Sequence, residues 1–253
     1  LDGNYPVGTG NVALGDTALD SVEASGNNNT AIGSNAGTAI TTGDNNVAIG
    51  TSALTSHTTG ANNIGIGVSA LSANTSGAQN VAVGDNALAT NITGLRNTAV
   101  GYWASRLSTG ADNVAMGYNC LGNNTGASNT AIGTRALQSN TTASSNTAVG
   151  YQAVYSNTTL QANTTGTNNV SVGGYSLLSN TTASNNTAVG NVALDANTTG
   201  SDNVGIGYAS LSQSTTGYGL TAIGRQALYS NTTGARNTAV GYQAGYSNTT
   251  SAN

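Results

Sequence analysis

Large apolar residues return along this chain on a fixed beat, and a glycine closes each group. Val12, Ala13, Leu14 and Gly15 stand in a row, as do Thr30, Ala31, Ile32 and Gly33, then Val47, Ala48, Ile49 and Gly50. The closing glycines are Gly15, Gly33, Gly50, Gly67, Gly84, Gly101, Gly117, Gly133, Gly150, Gly173, Gly190, Gly207, Gly224 and Gly241. Their intervals are 18, 17, 17, 17, 17, 16, 16, 17, 23, 17, 17, 17 and 17, which makes fourteen copies of a unit near seventeen residues.

Each copy is numbered here from the residue before its trio, an Asn in thirteen copies and Leu220 in the other. Position 2 is always β-branched, position 3 always small, position 4 always large and apolar, and position 5 is the glycine. Position 8 is small again, and position 9 is aliphatic in eleven copies, with Gly37, Ser105 and Gly245 as the breaks. A polar stretch, commonly N-T-T-G, completes the unit.

Positions 1 to 5 alternate with a period of two and end on glycine, which predicts a short strand. A second short strand is expected over positions 7 to 10, and a turn at N-T-T-G. The fold class that follows is all-β: a parallel β-solenoid or β-roll of about fourteen 17-residue coils, with equivalent positions stacked in columns. Positions 4 and 9, the large apolar columns, are expected to form the core. Position 1 is expected to form an Asn ladder, each amide bonding to the next. At least one of the uniformly small columns at positions 3 and 8 is expected to pack against another chain, most simply around a threefold axis, giving a homotrimeric fibre.

The chain reads as one repetitive domain over 1–253, with repeats from about residue 11. The 23-residue interval holds six extra residues, and S-N-T-T-L-Q-A-N-T-T-G repeats the turn sequence there. That predicts a bulging loop around Thr159–Thr165 with the stack uninterrupted.

Composition narrows the partners. Only 6% of residues are charged, the net charge is −4, and all five cationic side chains are arginine. So few cations neutralise few phosphates, which argues against nucleic acid. No apolar run approaches the roughly 20 residues of a membrane-spanning helix, so membrane insertion is not expected. Cys120 is the single cysteine, so no intrachain disulfide or cysteine zinc site is expected.

The strings TAVGYQA (147–153), NTAVGYQA (237–244), NTAIG (129–133) and NVAIG (46–50) are similar to two related repeat families. One is the head repeat of trimeric autotransporter adhesins, with its S-V-A-I-G core. The other is the repetitive segment of bacteriophage tail fibres and some bacterial surface proteins, where NTAVGYQAL-type units recur. The resemblance covers nearly the whole chain. It implies a left-handed parallel β-roll, three chains about a common axis, and a role in attachment. The unit here is longer than the adhesin unit and carries N-T-T-G, which favours the phage-fibre and surface-fibre relatives.

Few residues stand out as chemistry. His57 sits where most copies carry the turn Asn and reads as a solvated turn histidine, and Cys120 at position 8 reads as a small buried hydrophobe. Asp44, Asp112 and Asp202 precede the strand Asn and read as solvated turn acids, as do Asp16, Asp20 and Glu23. No catalytic residue, cofactor or metal is expected. Tyr102 and Trp103, with Tyr118, Tyr151, Tyr208 and Tyr242 at the site after the glycine, read either as packing between coils or as an aromatic stripe facing a ligand. Asn74, Asn91, Asn140, Asn157, Asn163, Asn180, Asn197, Asn231 and Asn248 fit the N-glycan acceptor pattern or are turn residues only.

The expected function is the structural and adhesive shaft of an extracellular fibre on a virion tail or cell surface, meeting a host receptor or glycan. An extracellular filament without a specific receptor, or an ice-binding β-solenoid, are the alternatives; an enzyme is the least supported class.

Overall fold

The structure, a computed structural model, describes residues 7–154 and 165–251. Compact units divide the chain at Asn123 and Asn124. The first unit carries β1 (Val12–Leu14), β2 (Thr30–Ile32), β3 (Val47–Ile49), β4 (Ile64–Ile66), β5 (Val81–Val83), β6 (Thr98–Val100) and β7 (Val114–Met116). The second carries β8 (Thr130–Ile132), β9 (Thr147–Val149), β10 (Val170–Val172), β11 (Thr187–Val189), β12 (Val204–Ile206), β13 (Thr221–Ile223) and β14 (Thr238–Val240). Among the described residues there is no helix.

In each unit successive strands pair in parallel with equivalent positions aligned: Val47 faces Ile64, and Thr187 faces Val204. The chain is an all-β parallel β-solenoid in which every strand is three residues long. The longer interval leaves register intact, because Thr147, Ala148 and Val149 pair with Val170, Ser171 and Val172. The loop expected around Thr159–Thr165 lies, up to residue 164, outside the described residues.

The interior differs from expectation in its sense. Position 3 points inward and is fully buried in most coils, as at Ala31, Ala82, Ala131 and Ala188. Positions 2 and 4 point outward, and Ile32, Met116, Ile132 and Ile223 are exposed. The core columns are therefore 3, 8 and 9: small, small and leucine. The physical reason is lack of room. A Cβ added to Gly65 at position 3 would lie 3.3 Å from Cγ of Leu54 and 3.3 Å from the Ala70 carbonyl oxygen. Once Leu at position 9 fills the coil, position 3 has space for a methyl group and no more. The small columns hence face each other within one chain and cannot form the interchain contact assigned to them. Ser171 and Ser176, at positions 3 and 8 of one coil, meet at 2.5 Å between hydroxyl oxygens.

Positions 7 to 10 are not a strand. Position 7 and position 9 take left-handed backbone in every described coil, for example Ser52 (φ 58) and Leu54 (φ 51), or Gln226 (φ 58) and Leu228 (φ 49). Alternation of left-handed residues folds the chain sharply and closes the narrow coil. Left-handed backbone costs an L-residue about 1–2 kcal/mol. Full burial of Leu, about 1.5–3 kcal/mol, offsets that at position 9. Where Leu is missing, Gly37 and Gly245 carry the same φ without strain.

The glycine at position 5 answers to a different constraint. Its φ is between 127 and 140, and a Cβ on Gly50 would lie 2.6 Å from the carbonyl oxygen of Gly67 in the next coil. Glycine stacks on glycine because nothing larger fits the corner.

The expected ladder at position 1 is present. Oδ1 of Asn46 accepts from the backbone N–H and the side-chain Nδ2 of Asn63, at 2.9 and 3.1 Å. Nδ2 of Asn46 donates to Oδ1 of Asn29 and to the Gly60 carbonyl at the far side of its own coil. Each Asn thus ties two rungs together and closes one.

Candidate functional site

Two surfaces and one interior column carry the residues singled out above. The first surface is the outer face of the sheet. In the first unit it aligns Leu14, Ile32, Ile49, Ile66, Val83, Val100 and Met116 at position 4 beside the β-branched residues of position 2. In the second it aligns Ile132, Val149, Val172, Val189, Ile206, Ile223 and Val240, with Thr at position 2 in five of seven coils. Parallel sheets are ordinarily covered on both faces. Here the inner face meets the coil's own Leu column, and the outer face is partly open in every coil.

The second surface holds the aromatics. Tyr102 and Tyr118 follow the corner glycine in successive coils, and their rings are parallel within 2° at 6.0 Å between centroids. Trp103 joins them, 4.8 Å from Tyr102 and 6.3 Å from Tyr118. The guanidinium of Arg106 lies 4.9 Å from the Trp103 ring centroid. Both tyrosines and Arg106 are exposed, and Trp103 is half-buried. The remaining predicted residues do not join this cluster. Tyr151 meets Tyr175 edge-on at 5.5 Å, and Tyr208 lies beneath the Arg225 guanidinium at 5.3 Å. Tyr242 is exposed on the last described coil, with no ring contact among the described residues.

Sequence reasoning missed the arginines. Arg236 also lies over an aromatic ring, that of Tyr218, at 5.5 Å. A usable signal existed, since Arg225 follows Tyr208 by seventeen residues, one coil, and stacking places the pair in contact.

The interior column is position 12, where the turn Asn was placed. It is buried, not solvated: Asn74, Asn91, Asn124, Asn140, Asn197 and Asn231 are inaccessible to solvent. Nδ2 of Asn91 and of Asn197 donates to the position-15 carbonyl of its own coil, Gly94 at 3.1 Å and Gly200 at 2.9 Å. Apart from Asn124, these asparagines fit the glycan-acceptor pattern, and their side chains are buried; Asn248, which also fits it, is half-buried. Asn157 and Asn163 lie outside the described residues.

His57 occupies the same column and is fully buried, which corrects its reading as a solvated turn residue. Its Nε2 lies 2.8 Å from the Gly60 carbonyl oxygen. A carbonyl only accepts, so Nε2 carries the proton and Nδ1 is bare, and Nδ1 has no hydrogen-bond partner. Burial holds the ring's pKa below its ordinary value, with the Gly60 carbonyl and Asn74 opposing in part.

Cys120 is buried as expected. Its thiol donates to the Gly117 carbonyl at 3.2 Å, and burial pushes its pKa up to about 12. Of the turn acids, Asp44 accepts the Asn27 N–H at 2.7 Å and Asp202 accepts Nδ2 of Asn185 at 3.0 Å. Asp112 pairs with exposed Arg96, whose hydrogen bond holds the carboxyl below its usual range. Among the described residues, no group of three or more His, Cys, Asp or Glu side chains could hold a metal ion, and no helix is long and apolar enough to cross a membrane.

No protein-family model, no curated protein and no solved structure matches this chain.

Proposed function

We propose that the chain is the shaft of a homotrimeric extracellular fibre, structural and adhesive rather than catalytic, carried on a phage tail or a cell surface. The observation that carries this reading is the outward apolar face of positions 2 and 4. A sheet face of Val, Ile and Leu in water favours a cover, and each copy offers a face of identical period. Chains that must run in one direction assemble about an axis parallel to their coil stack, which is a cyclic arrangement. The number three follows the resemblance to the adhesin and tail-fibre repeats. Attachment follows from repetition, since many weak equivalent contacts add through avidity. Nucleic acid and membrane insertion have no place in this reading.

Native mass spectrometry tests the assembly. A species of three times the 24.8 kDa chain mass is expected. Replacing Ile49 and Val83 on the outer face by Arg is expected to give monomer with unchanged circular dichroism. A monomeric parent, or a trimer that survives both replacements, would overturn it. Immunogold microscopy of the producing particles tests the location: label on a tail fibre or cell surface is expected, and label confined to the cytoplasm would refute it.

A second reading rests on the second unit, where Thr fills position 2 in five of seven coils beside an aliphatic file. Regular hydroxyl and methyl rows on an outward sheet are the chemistry of an ice-ordering face. Thermal hysteresis in a freezing droplet decides for this reading, and its absence decides against.

A further inference from the structure

We propose that Tyr102, Trp103, Tyr118 and Arg106 form a binding platform for an acidic saccharide. The inference deepens the adhesive part of the reading above and rests on it. The residues are held by consecutive coils of the first unit, and the repeat departs from its usual length there. Both coils are one residue short, with intervals of 16 between their glycines. The single tryptophan stands at position 7, which is left-handed (φ 59), carries Thr, Asn, Ser or Arg in seven other coils and holds an aromatic in one other, Tyr175. A bulky aromatic at such a backbone position is uncommon and is not required by packing of the coil. The interior beneath is rearranged as well. Ser105 replaces Leu at position 9, and its hydroxyl donates to Ser108 at 2.8 Å, which donates to the Leu121 carbonyl at 3.0 Å. The coil closes differently while its surface departs from the repeat.

The surface chemistry fits one ligand class. Three rings whose centroids lie within 6.3 Å offer an apolar, polarisable patch for pyranose C–H groups, and the phenols add hydrogen bonds. Leu107, next in the chain to Arg106, is 44% exposed. Arg106 supplies the charge. It has no carboxylate partner among the described residues, where the one ion pair is Arg96 with Asp112. A guanidinium stacked on a ring keeps its donors free for a carboxylate, which it grips with two parallel hydrogen bonds. A chain that uses arginine alone among the cations, and sets three of five over aromatic rings, has the residue suited to that geometry. Arg225 over Tyr208 in the second unit is a smaller version of the same pair.

The test titrates a tetrameric oligogalacturonide, with maltotetraose as its neutral counterpart, into the full chain. Trp103 is the single tryptophan, so its fluorescence reports the site directly. Saturable binding of the acidic sugar with a change in that fluorescence is expected. By calorimetry, Trp103→Asn is expected to weaken binding about tenfold, the loss of one stacking partner. Asn already stands at this coil position as Asn86 and Asn119, so the variant is expected to melt like the parent. Arg106→Gln is expected to bring affinity for the acidic sugar down to that for the neutral one. No saturable binding to the parent, parental affinity in Trp103→Asn, or preference kept in Arg106→Gln would each overturn the platform. A trimer that binds no saccharide removes the platform and leaves the assembly standing. A monomer that binds it removes the assembly and leaves the platform.

Discussion

Cδ1 of Ile40 occupies the space that a side chain on Gly37 would need: a Cβ there would lie 2.9 Å from it and 3.1 Å from Cδ2 of Leu19. The two residues exchange roles within one coil. Position 9 gives up its leucine, and position 12 gives up its asparagine for the aliphatic group. Both interior sites stay filled, and Ile40 is 1% exposed. Ile40→Ala is therefore expected to cost about 2–5 kcal/mol, the usual range for emptying such a site. Gly37→Leu alone overpacks the coil and is expected to cost about 1–3 kcal/mol. The double replacement Gly37→Leu with Ile40→Asn restores the arrangement of most coils and is expected to fall near the parent. Urea titration of the parent, Gly37→Leu, Ile40→Asn and the double replacement measures this; a double that loses the sum of its two single losses would refute the exchange.

The repeat, the parallel coils, the register across the insertion and the ladder at position 1 were all legible in the sequence. Each depends on spacing, which survives translation into structure directly. The sense of the alternation was not legible from hydrophobicity. The rule that large apolar residues point inward fails in a coil too narrow for Ile49 and Leu54 together. One signal pointed correctly: Asn46 and Ala48 share a strand face, so a buried ladder at position 1 draws position 3 inside. The burial of position 12 was hidden because N-T-T-G looks like an exposed turn. The arginine–aromatic pairs were hidden because residues far apart in sequence meet only through stacking, as Tyr208 and Arg225 do.

The ladder predicts a loss that depends on position along it. In Asn63→Ala, the Asn80 N–H loses its acceptor at 3.0 Å and the Gly77 carbonyl loses its donor at 2.9 Å, both in buried surroundings. Each buried group left unpaired costs about 1–3 kcal/mol. A loss of about 3 kcal/mol or more is expected for Asn63→Ala. Asn11, at the start of the first unit and only part-buried, is expected to lose less than half of that. Equal losses at the two sites, read from denaturant midpoints, would argue against a cooperative ladder.

The buried amides of position 12 make a prediction about modification. Asn140 and Asn197 fit the acceptor pattern, yet their Nδ2 atoms donate inside the coil, to Ala143 at 2.9 Å and Gly200 at 2.9 Å. A transferase cannot reach them without opening the coil. In folded chain incubated with purified oligosaccharyltransferase and lipid-linked donor, peptide mapping is expected to find Asn140 and Asn197 unmodified. A synthetic peptide over 136–148 is expected to gain a glycan under the same conditions. Modification of the folded chain at Asn140 or Asn197 would contradict the burial.

Acid should loosen the first unit through His57. The ring is buried and neutral, beside Asn74, whose side-chain polar atoms also lack partners. Burial lowers the folded-state pKa below the ordinary 6.5. The unfolded chain therefore binds the proton more readily, and stability falls as pH drops below that value, by up to about 1.4 kcal/mol per pH unit. Above it the histidine is neutral in both states and its contribution is constant. Below the folded pKa both states are protonated and the loss levels off. Carboxylates such as Asp112 also titrate in acid, so the informative comparison is with His57→Asn, which restores the residue of the neighbouring Asn74 and Asn91. Between pH 7 and pH 5 the parent is expected to lose stability relative to this variant, with the gap opening only below about pH 6.5. Parallel stability curves for the two proteins across that range would mean that the imidazole is not shielded as the structure places it.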